Sequence, residues 1–374
     1  MKFSCLQENL KHGLFVVSHL TGKNQNLPIL GNVLIEVSQG EIKLVSTNLE
    51  IGVSCFVRGK VEIEGSFTVD AKILSDYINL LPNQKVDVEM VNNSLVINCG
   101  SYNTKIKGQS SEDYPLIPTV EKSNFCKISI PELKKAFNQV VFAVSTNETR
   151  AELTGVFFNF INNKELVIVA TDSYRLAERK ITLIESNIES SSLIVPAKTV
   201  QEVVRIMAGT KDDVGEIGEV EIYVFENQIL FTHGSTEVIS RLIEGQYPDY
   251  RQIIPNNHKT VAITDISQMV RAVKSSALFA KTGINDINLD FPKNNGKIVV
   301  SSASGQTGEN IVEIIADVEG EDNFVVVNYR YLLDGLGNIG GEKVKICLVD
   351  GNTPCLVKST ESDDYLYVVM PIKQ

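Results

Sequence analysis

One hairpin occurs three times in this chain, and that repetition limits the folds open to it more than any other feature. Leu153 to Ala177 reads LTGVFFNFINNKELVIVATDSYRLA: two β-rich runs around an Asn-Asn turn, then a polar knuckle ending in an arginine. Gly31 to Val53 repeats it as GNVLIEVSQGEIKLVSTNLEIGV, and Ile284 opens a third copy, INDINLDFPKNNGKIVVSSASGQTGENIVEI. The copies lie roughly 120 to 130 residues apart in a chain of 374, the spacing of a tandem triplication.

The segments around each hairpin repeat as well. In the first copy a strand, Lys2 to Cys5, precedes a helix over Gln7 to Leu20, set by Leu10, Leu14, Val17 and Leu20 at helical spacing. A second helix, Ala71 to Leu81, is followed by strands over 85–91, 95–99 and 102–107, joined by Asn92-Asn93 and Gly100-Ser101 turns. In the second copy Pro131 stands in the first turn of a helix over Glu132 to Val144, where its missing N–H costs nothing. Leu193 to Lys198 (LIVPAK) then answers Phe67 to Lys72 (FTVDAK), ahead of a helix that uses Val200, Val203, Val204 and Met207. The third copy has helices over Ile266 to Ala280 and Tyr329 to Leu336 and a closing strand at Tyr365 to Met370. Tyr114-Pro115 and Tyr247-Pro248 close the first two copies. The expected fold is α+β, with three domains at 1–124, 125–256 and 257–374, each made of two βαβββ units.

A chain of this length, 43% hydrophobic, supports more than one core. Its apolar runs are shorter than the ~18 residues of a membrane span, and MKFSCLQENL has no basic segment leading into an apolar one, so a soluble cytoplasmic protein is expected. The six cysteines (Cys5, Cys55, Cys99, Cys126, Cys347, Cys355) are scattered through strand-like runs, as buried thiols in a reducing compartment would be. The four histidines (His12, His19, His233, His258) show no metal-pair spacing. Gly335 to Gly340 matches GxGxxG, but it follows a helix instead of joining a strand to one, so it reads as a glycine-rich helix end. Asp212-Asp213 reads as a solvated turn, and Ser235 beside His233 as a hairpin turn. No catalytic residue, metal site or cofactor is expected. An enzyme whose site is assembled from distant residues stays open as an alternative.

The net charge is −11, yet the charges are unevenly distributed. The six expected helices and their caps carry Lys11, Lys23, Lys72, Lys134, Lys135, Lys198, Arg205, Lys211, Arg271, Lys274, Lys281 and Arg330 against Glu8, Asp76, Glu132, Glu202, Asp265 and Asp334. If the helices share a surface, that surface attracts polyanions. Phosphate contacts of this kind hold a duplex without reading its sequence, and salt weakens them. Lysines on ordinary solvated helices are the competing explanation.

The start MKFSCLQENL, Leu27-Pro28-Ile29-Leu30, the knuckle Ala170 to Ala177 (ATDSYRLA), Tyr247-Pro248-Asp249-Tyr250 and the ending Tyr367 to Ile372 (YVVMPI) occur in the order found in one family. Together they resemble the bacterial DNA polymerase III β subunits, the replicative sliding clamps. The resemblance implies three clamp domains forming half of a ring, with helices on one face and sheets on the other. It also implies a head-to-tail homodimer around duplex DNA that tethers the polymerase III catalytic subunit and receives the clamp loader and repair proteins. A DNA-facing set follows: Lys23, Asn24, Lys72, Lys134, Lys135, Arg150, Lys198, Arg205, Arg271 and Lys274. A cleft for short linear peptides would be lined by Leu153, Thr171, Tyr174, Arg175, Leu176, Pro248, Ile253, Pro354, Val368, Met370, Pro371 and Ile372. Leu278 and Phe279 would meet Thr104 and Ile106 of the partner copy. Two positions depart from the family's habit: Tyr174 stands where histidine is common, and Gln252 where a basic residue is. A three-domain peptide-binding scaffold that does not encircle DNA is the alternative nearest to this reading.

Overall fold

A computed structural model of the chain describes residues 1–22, 27–118, 120–209, 218–293 and 295–373. The first repeat contains β1 (Lys2–Leu6), α1 (Gln7–Val17), β2 (Asn32–Ser38), β3 (Glu41–Thr47), β4 (Ile51–Val57), β5 (Gly59–Ile63), β6 (Gly65–Asp70), α2 (Ala71–Leu80), β7 (Lys85–Val91), β8 (Ser94–Cys99) and β9 (Tyr102–Gln109). The second contains β10 (Phe125–Ser129), α3 (Ile130–Val141), β11 (Gly155–Ile161), β12 (Glu165–Thr171), β13 (Arg175–Thr182), β14 (Glu185–Ser186), β15 (Ser190–Pro196), α4 (Ala197–Gly209), β16 (Glu219–Phe225), β17 (Gln228–His233) and β18 (Thr236–Arg241). The third contains β19 (Thr260–Asp265), α5 (Ile266–Ala277), β20 (Asp286–Phe291), β21 (Lys297–Ser304), β22 (Gly308–Gly320), β23 (Asn323–Asn328), α6 (Tyr329–Asn338), β24 (Lys343–Leu348), β25 (Cys355–Ser359) and β26 (Tyr365–Val369). Each repeat is thus two βαβββ units. The first two insert a short strand between them, β5 or β14, and the third lengthens β22 to 13 residues instead. The three short or lengthened strands do the same job: β5 pairs with β1, β14 with β10, and the far end of β22 with β19.

The chain divides into two compact units that do not coincide with the repeats. One holds Met1–Ile130, Ile184–Ile188 and Glu202–Leu242, and the other holds Pro131–Leu183, Glu189–Gln201 and Ile243–Gln374. Each unit is built on one sheet, and the sheets run through the repeat boundaries. In the first unit the order is β14-β10-β16-β17-β18-β4-β3-β2-β6-β9-β8-β7-β1-β5. There β18 of the second repeat pairs antiparallel with β4 of the first, from Thr236↔Cys55 to Ser240↔Ile51. In the second unit the order is β15-β11-β12-β13-β26-β25-β24-β19-β22-β21-β20-β23, and β13 joins β26 from Arg175↔Val369 to Arg179↔Tyr365.

Helices lie against these sheets on the residues that their spacing selected. Leu10, Leu14 and Val17 of α1 are buried, and Gly13 lets the helix come close to β3 and β4: a Cβ there would stand 2.8 Å from Val57 and 2.9 Å from Leu44. Three helices begin directly after a strand on a side-chain cap. Asp70 accepts from the Ile73 N–H at 2.8 Å, Asp265 from the Gln268 N–H at 2.9 Å, and Asn328 from the Arg330 N–H at 2.9 Å.

The expected helix ends at Leu20, Val144 and Ala280 fall three residues beyond the observed ones. After α3 and α5 the cause is a tighter turn, in which N–H groups bond to the carbonyl three residues back: Ala143 to Val140, Val144 to Val141, Phe279 to Ser276 and Ala280 to Ala277. Apolar spacing continues through such a turn although the α-helix has stopped. All six cysteines are buried and unpaired, and burial alone pushes the Cys126 thiol up to about 12. No helix among the described residues is long and apolar enough to cross a membrane.

Candidate functional site

The knuckle between β12 and β13 is held by a closed set of local hydrogen bonds. The Thr171 hydroxyl donates to the Arg175 carbonyl at 2.6 Å and accepts from the Ser173 N–H at 3.2 Å. Asp172 Oδ1 accepts from the Tyr174 and Arg175 N–H groups at 2.9 and 3.0 Å. These bonds hold Ser173 at φ +78°, a left-handed conformation that few L-residues adopt unaided. Strand β26 is tied in by the Met370 N–H, which donates to the Tyr174 carbonyl at 2.9 Å.

Arg175 fixes the surroundings of this knuckle. Its Nε donates to Asp172 at 2.9 Å, its Nη1 to Asp334 of α6, and its Nη2 to the Phe142 carbonyl just past α3 at 2.8 Å. The guanidinium lies 4.7 Å from the Tyr331 ring centre, and the exposed Tyr174 ring stacks on Tyr331 at 6.3 Å. Burial opposes the Arg175 charge, but Tyr367, Asp172 and Asp334 outweigh it and leave its pKa above the ordinary value. The arginine therefore locks the end of α3, the knuckle and α6 together.

Leu153, Leu176 and Val368 are buried in one apolar cluster with Val169, Tyr247, Tyr250 and Leu356. Burial pushes the Tyr247 and Tyr250 phenols above their ordinary range, so both stay neutral. Pro248 and Ile253 stand exposed on either side of Tyr250, and Pro354 is half-buried just before β25. Met370, Pro371 and Ile372 are half-buried, with the Ile372 N–H donating to the Val326 carbonyl at 2.8 Å. Of the expected lining residues, Leu153, Leu176 and Val368 are thus buried together, while Pro248, Ile253, Pro354, Met370, Pro371 and Ile372 stay partly or fully accessible. The sequence reading missed Tyr331, Asp334 and Phe142. Tyr331 and Asp334 are three apart on α6, a spacing that places them on one helix face and was the available signal.

Lys72, Lys135, Lys198, Arg271 and Lys274 are exposed on their helices, Lys134 is half-buried, and among the described residues none of the six forms an ion pair. The helical acids behave differently. Glu132 is paired with Arg179, Glu202 with Arg205, and Asp334 with Arg175, while Asp265 caps α5. Much of the negative charge on the helices is neutralised internally, and the lysine charge is left facing solvent. Arg205 is an exception among the cations: it donates to Glu202, which is only 3% exposed, and to the Phe15 and Val16 carbonyls at 3.0 and 2.8 Å. It closes the C-terminal end of α1, which has no basic residue in its own last turn. Arg150 is likewise engaged, with Glu152 and with the Ser173 hydroxyl, both at 3.1 Å. Lys23, Asn24, Lys211 and the Asp212-Asp213 turn lie outside the described residues.

Among the described residues, two strand segments besides those at the sheet ends (β5, β14, β15 and β23) are open along one side. β9 pairs with β8 from Tyr102 to Lys107 and with β6 only at Gly108 and Gln109, so Thr104 and the buried Ile106 lie on a stretch of strand without a second neighbour. In β22, Gly308–Ile315 pairs with β21 alone, and Ile311 and Ile315 are 65% and 79% exposed. Leu278, expected on α5, is the residue that ends it, and is 75% exposed. Phe279 lies beside Gly308, at the start of the open part of β22. Ile311 and Ile315 were not singled out from sequence, because an apolar residue on the outward face of a strand looks the same as one in a core. Among the described residues, no group of three or more His, Cys, Asp or Glu could hold a metal ion.

Three domain models of one family match the chain in succession. The N-terminal domain of the DNA polymerase III beta subunit matches residues 1–118, its central domain 127–249 and its C-terminal domain 251–373. The Beta sliding clamp of Bacillus subtilis is 29% identical, over 100% of both chains. That of Staphylococcus aureus is 31% identical, over 93% of this chain and 92% of its own. The crystal structure of the DNA polymerase sliding clamp from Bacillus subtilis superposes with a TM-score of 0.92 at 28% identity, covering 100% of this chain and 99% of that one.

Proposed function

This chain belongs to the DNA polymerase III beta subunit family, and from that premise we propose how its surfaces divide the work of a sliding clamp. It is a non-catalytic processivity factor: a homodimeric ring encircles duplex DNA and tethers the polymerase, and the clamp loader and repair proteins dock on the same ring. The matches to all three domains in order carry this conclusion. We place the domain limits at 1–124, 125–256 and 257–374; the first limit falls between the matches that end at 118 and begin at 127, and the second falls inside the match that begins at 251.

Lys72, Lys134, Lys135, Lys198, Arg271 and Lys274 form the DNA-facing set, supported by their freedom from ion pairs. Arg205 leaves that set, because its donors are spent on Glu202 and on α1. Contacts from such lysines are individually weak and indifferent to sequence, which lets the ring slide, while topology keeps it from leaving sideways. The open edges at β9 and β22 invite strand pairing with a second copy. A head-to-tail joint between them, made twice, closes under a two-fold axis, with Leu278 and Phe279 packing near Thr104 and Ile106. Partner proteins place a leucine or phenylalanine of an extended segment over Leu176 and Val368, beside Tyr174 and Met370. The cytoplasm, where the DNA lies, is its compartment, and the six unpaired thiols suit it.

The test is retention on DNA circles. Loaded onto nicked circular duplex at 0.1 to 0.2 M salt (roughly physiological ionic strength), the protein elutes with the DNA and is released when the circle is linearised. Equal loss from circular and linear DNA would refute encirclement.

A further inference from the structure

The knuckle of the peptide cleft has a twin in the first unit, at the loop between β3 and β4. The Thr47 hydroxyl donates to the Ile51 carbonyl at 2.9 Å and accepts from the Leu49 N–H at 3.0 Å. Asn48 Oδ1 accepts from the Glu50 and Ile51 N–H groups at 3.0 and 2.8 Å. Leu49 has φ +78°, the value at Ser173. The crossing strand is tied in the same way, by the Arg241 N–H donating to the Glu50 carbonyl at 3.1 Å, as Met370 does to Tyr174. A Tyr-Pro linker follows the same plan, with Tyr114 buried as Tyr247 is.

Beside this twin lies a cavity of about 290 Å3 lined by Leu49, Glu50, Ile51, Leu116, Ile117 and Arg241, among others. Where the cleft has Leu176, the register places Gly52, and the apolar wall comes from the linker instead: a Cβ on Gly52 would stand 2.8 Å from Ile117. Leu116 is 96% exposed and Leu49 47%. Leucine in a left-handed conformation is strained, so the network holds an apolar side chain at the mouth of the cavity at some cost in free energy. The charges differ from those of the cleft. Arg241 takes the place of Met370, is exposed, and among the described residues its guanidinium is in no hydrogen bond or ion pair. In an adjoining cavity Lys43 is free of ion pairs, while Lys122 and Glu237 neutralise each other. Glu50 is the opposing carboxylate on the rim.

We propose that this groove is a second peptide-binding site, taking a short extended peptide with an apolar side chain between Leu49 and Leu116 and a neighbouring carboxylate on Arg241. The inference rests on the reading of the Tyr174 cleft as a peptide site, whose framework it repeats. The groove would give each chain a second attachment point, with a preference for acidic ligands that the cleft lacks.

Fluorescence anisotropy of the full chain with fluorescein-labelled Gly-Leu-Asp-Leu-Gly tests it. Two peptides bind per chain; Arg241→Glu weakens one site by about tenfold or more, and Leu116→Ser, at a fully exposed position, weakens the same one. Tyr174→Glu removes the other. A single site that is lost in Tyr174→Glu and indifferent to Arg241→Glu and Leu116→Ser overturns the proposal and leaves the cleft standing. A single site that responds only to Arg241→Glu and Leu116→Ser upholds the groove and overturns the cleft. No binding to the unsubstituted chain overturns both.

Discussion

Two arginines show why the type of a residue did not settle its role. Both were read from sequence as surface functional groups, Arg205 for DNA and Arg175 for the cleft, and in the structure both guanidinium groups are enclosed by acceptors from separate elements. Sequence spacing could show Glu202 and Arg205 as neighbours on α4, but not that the carbonyls at the end of α1 would meet them. Long-range acceptors of this kind leave no local mark. Arg205→Ala removes the cap from α1 and leaves the buried Glu202 with His19 as its remaining ionic partner, 2.6 Å away. The expected loss is about 3 kcal/mol in urea unfolding, with the salt dependence of DNA retention unchanged. Lys198→Ala should behave the opposite way, flattening that salt dependence and sparing stability.

At the scale of elements, the sequence was most informative where a pattern repeats and least where an element is defined by what it lacks. The βαβββ plan, the helix faces at Leu10, Leu14 and Leu74, and the hairpin turns were all legible, because each is a local periodicity with a turn at its end. The strand that follows the ATDSYRLA knuckle was not. β13 begins with Arg175 and carries Glu178, Arg179 and Lys180 in succession, so its burial comes from the neighbouring β12 and β26 and not from its own composition. Open edges were equally silent, since a missing partner is a fact about topology. Ile315→Lys puts a charge on the open part of β22 without entering a core. It should shift the chain from dimer to monomer in sedimentation equilibrium at low micromolar concentration, roughly the range in which weakened interfaces dissociate, while the unfolding free energy of the monomer stays within about 0.5 kcal/mol of the unsubstituted chain's.

For the molecule as a whole, each unit is tied across a repeat boundary by strand pairing, β18 with β4 in one and β13 with β26 in the other. Covalent continuity through the linker at Leu116 is therefore redundant with a five-residue antiparallel ladder and the apolar packing of Ile117 on both sides of it. A chain cut there still has every strand its sheet requires. Fragments 1–116 and 117–374, produced together in one cell, should copurify and reassemble. If they separate, the ladder alone cannot hold the boundary and the linker is essential to it. If they stay together, the chain can be severed at Leu116 without losing its form, and a ring of two such chains could be opened, tagged or re-linked there.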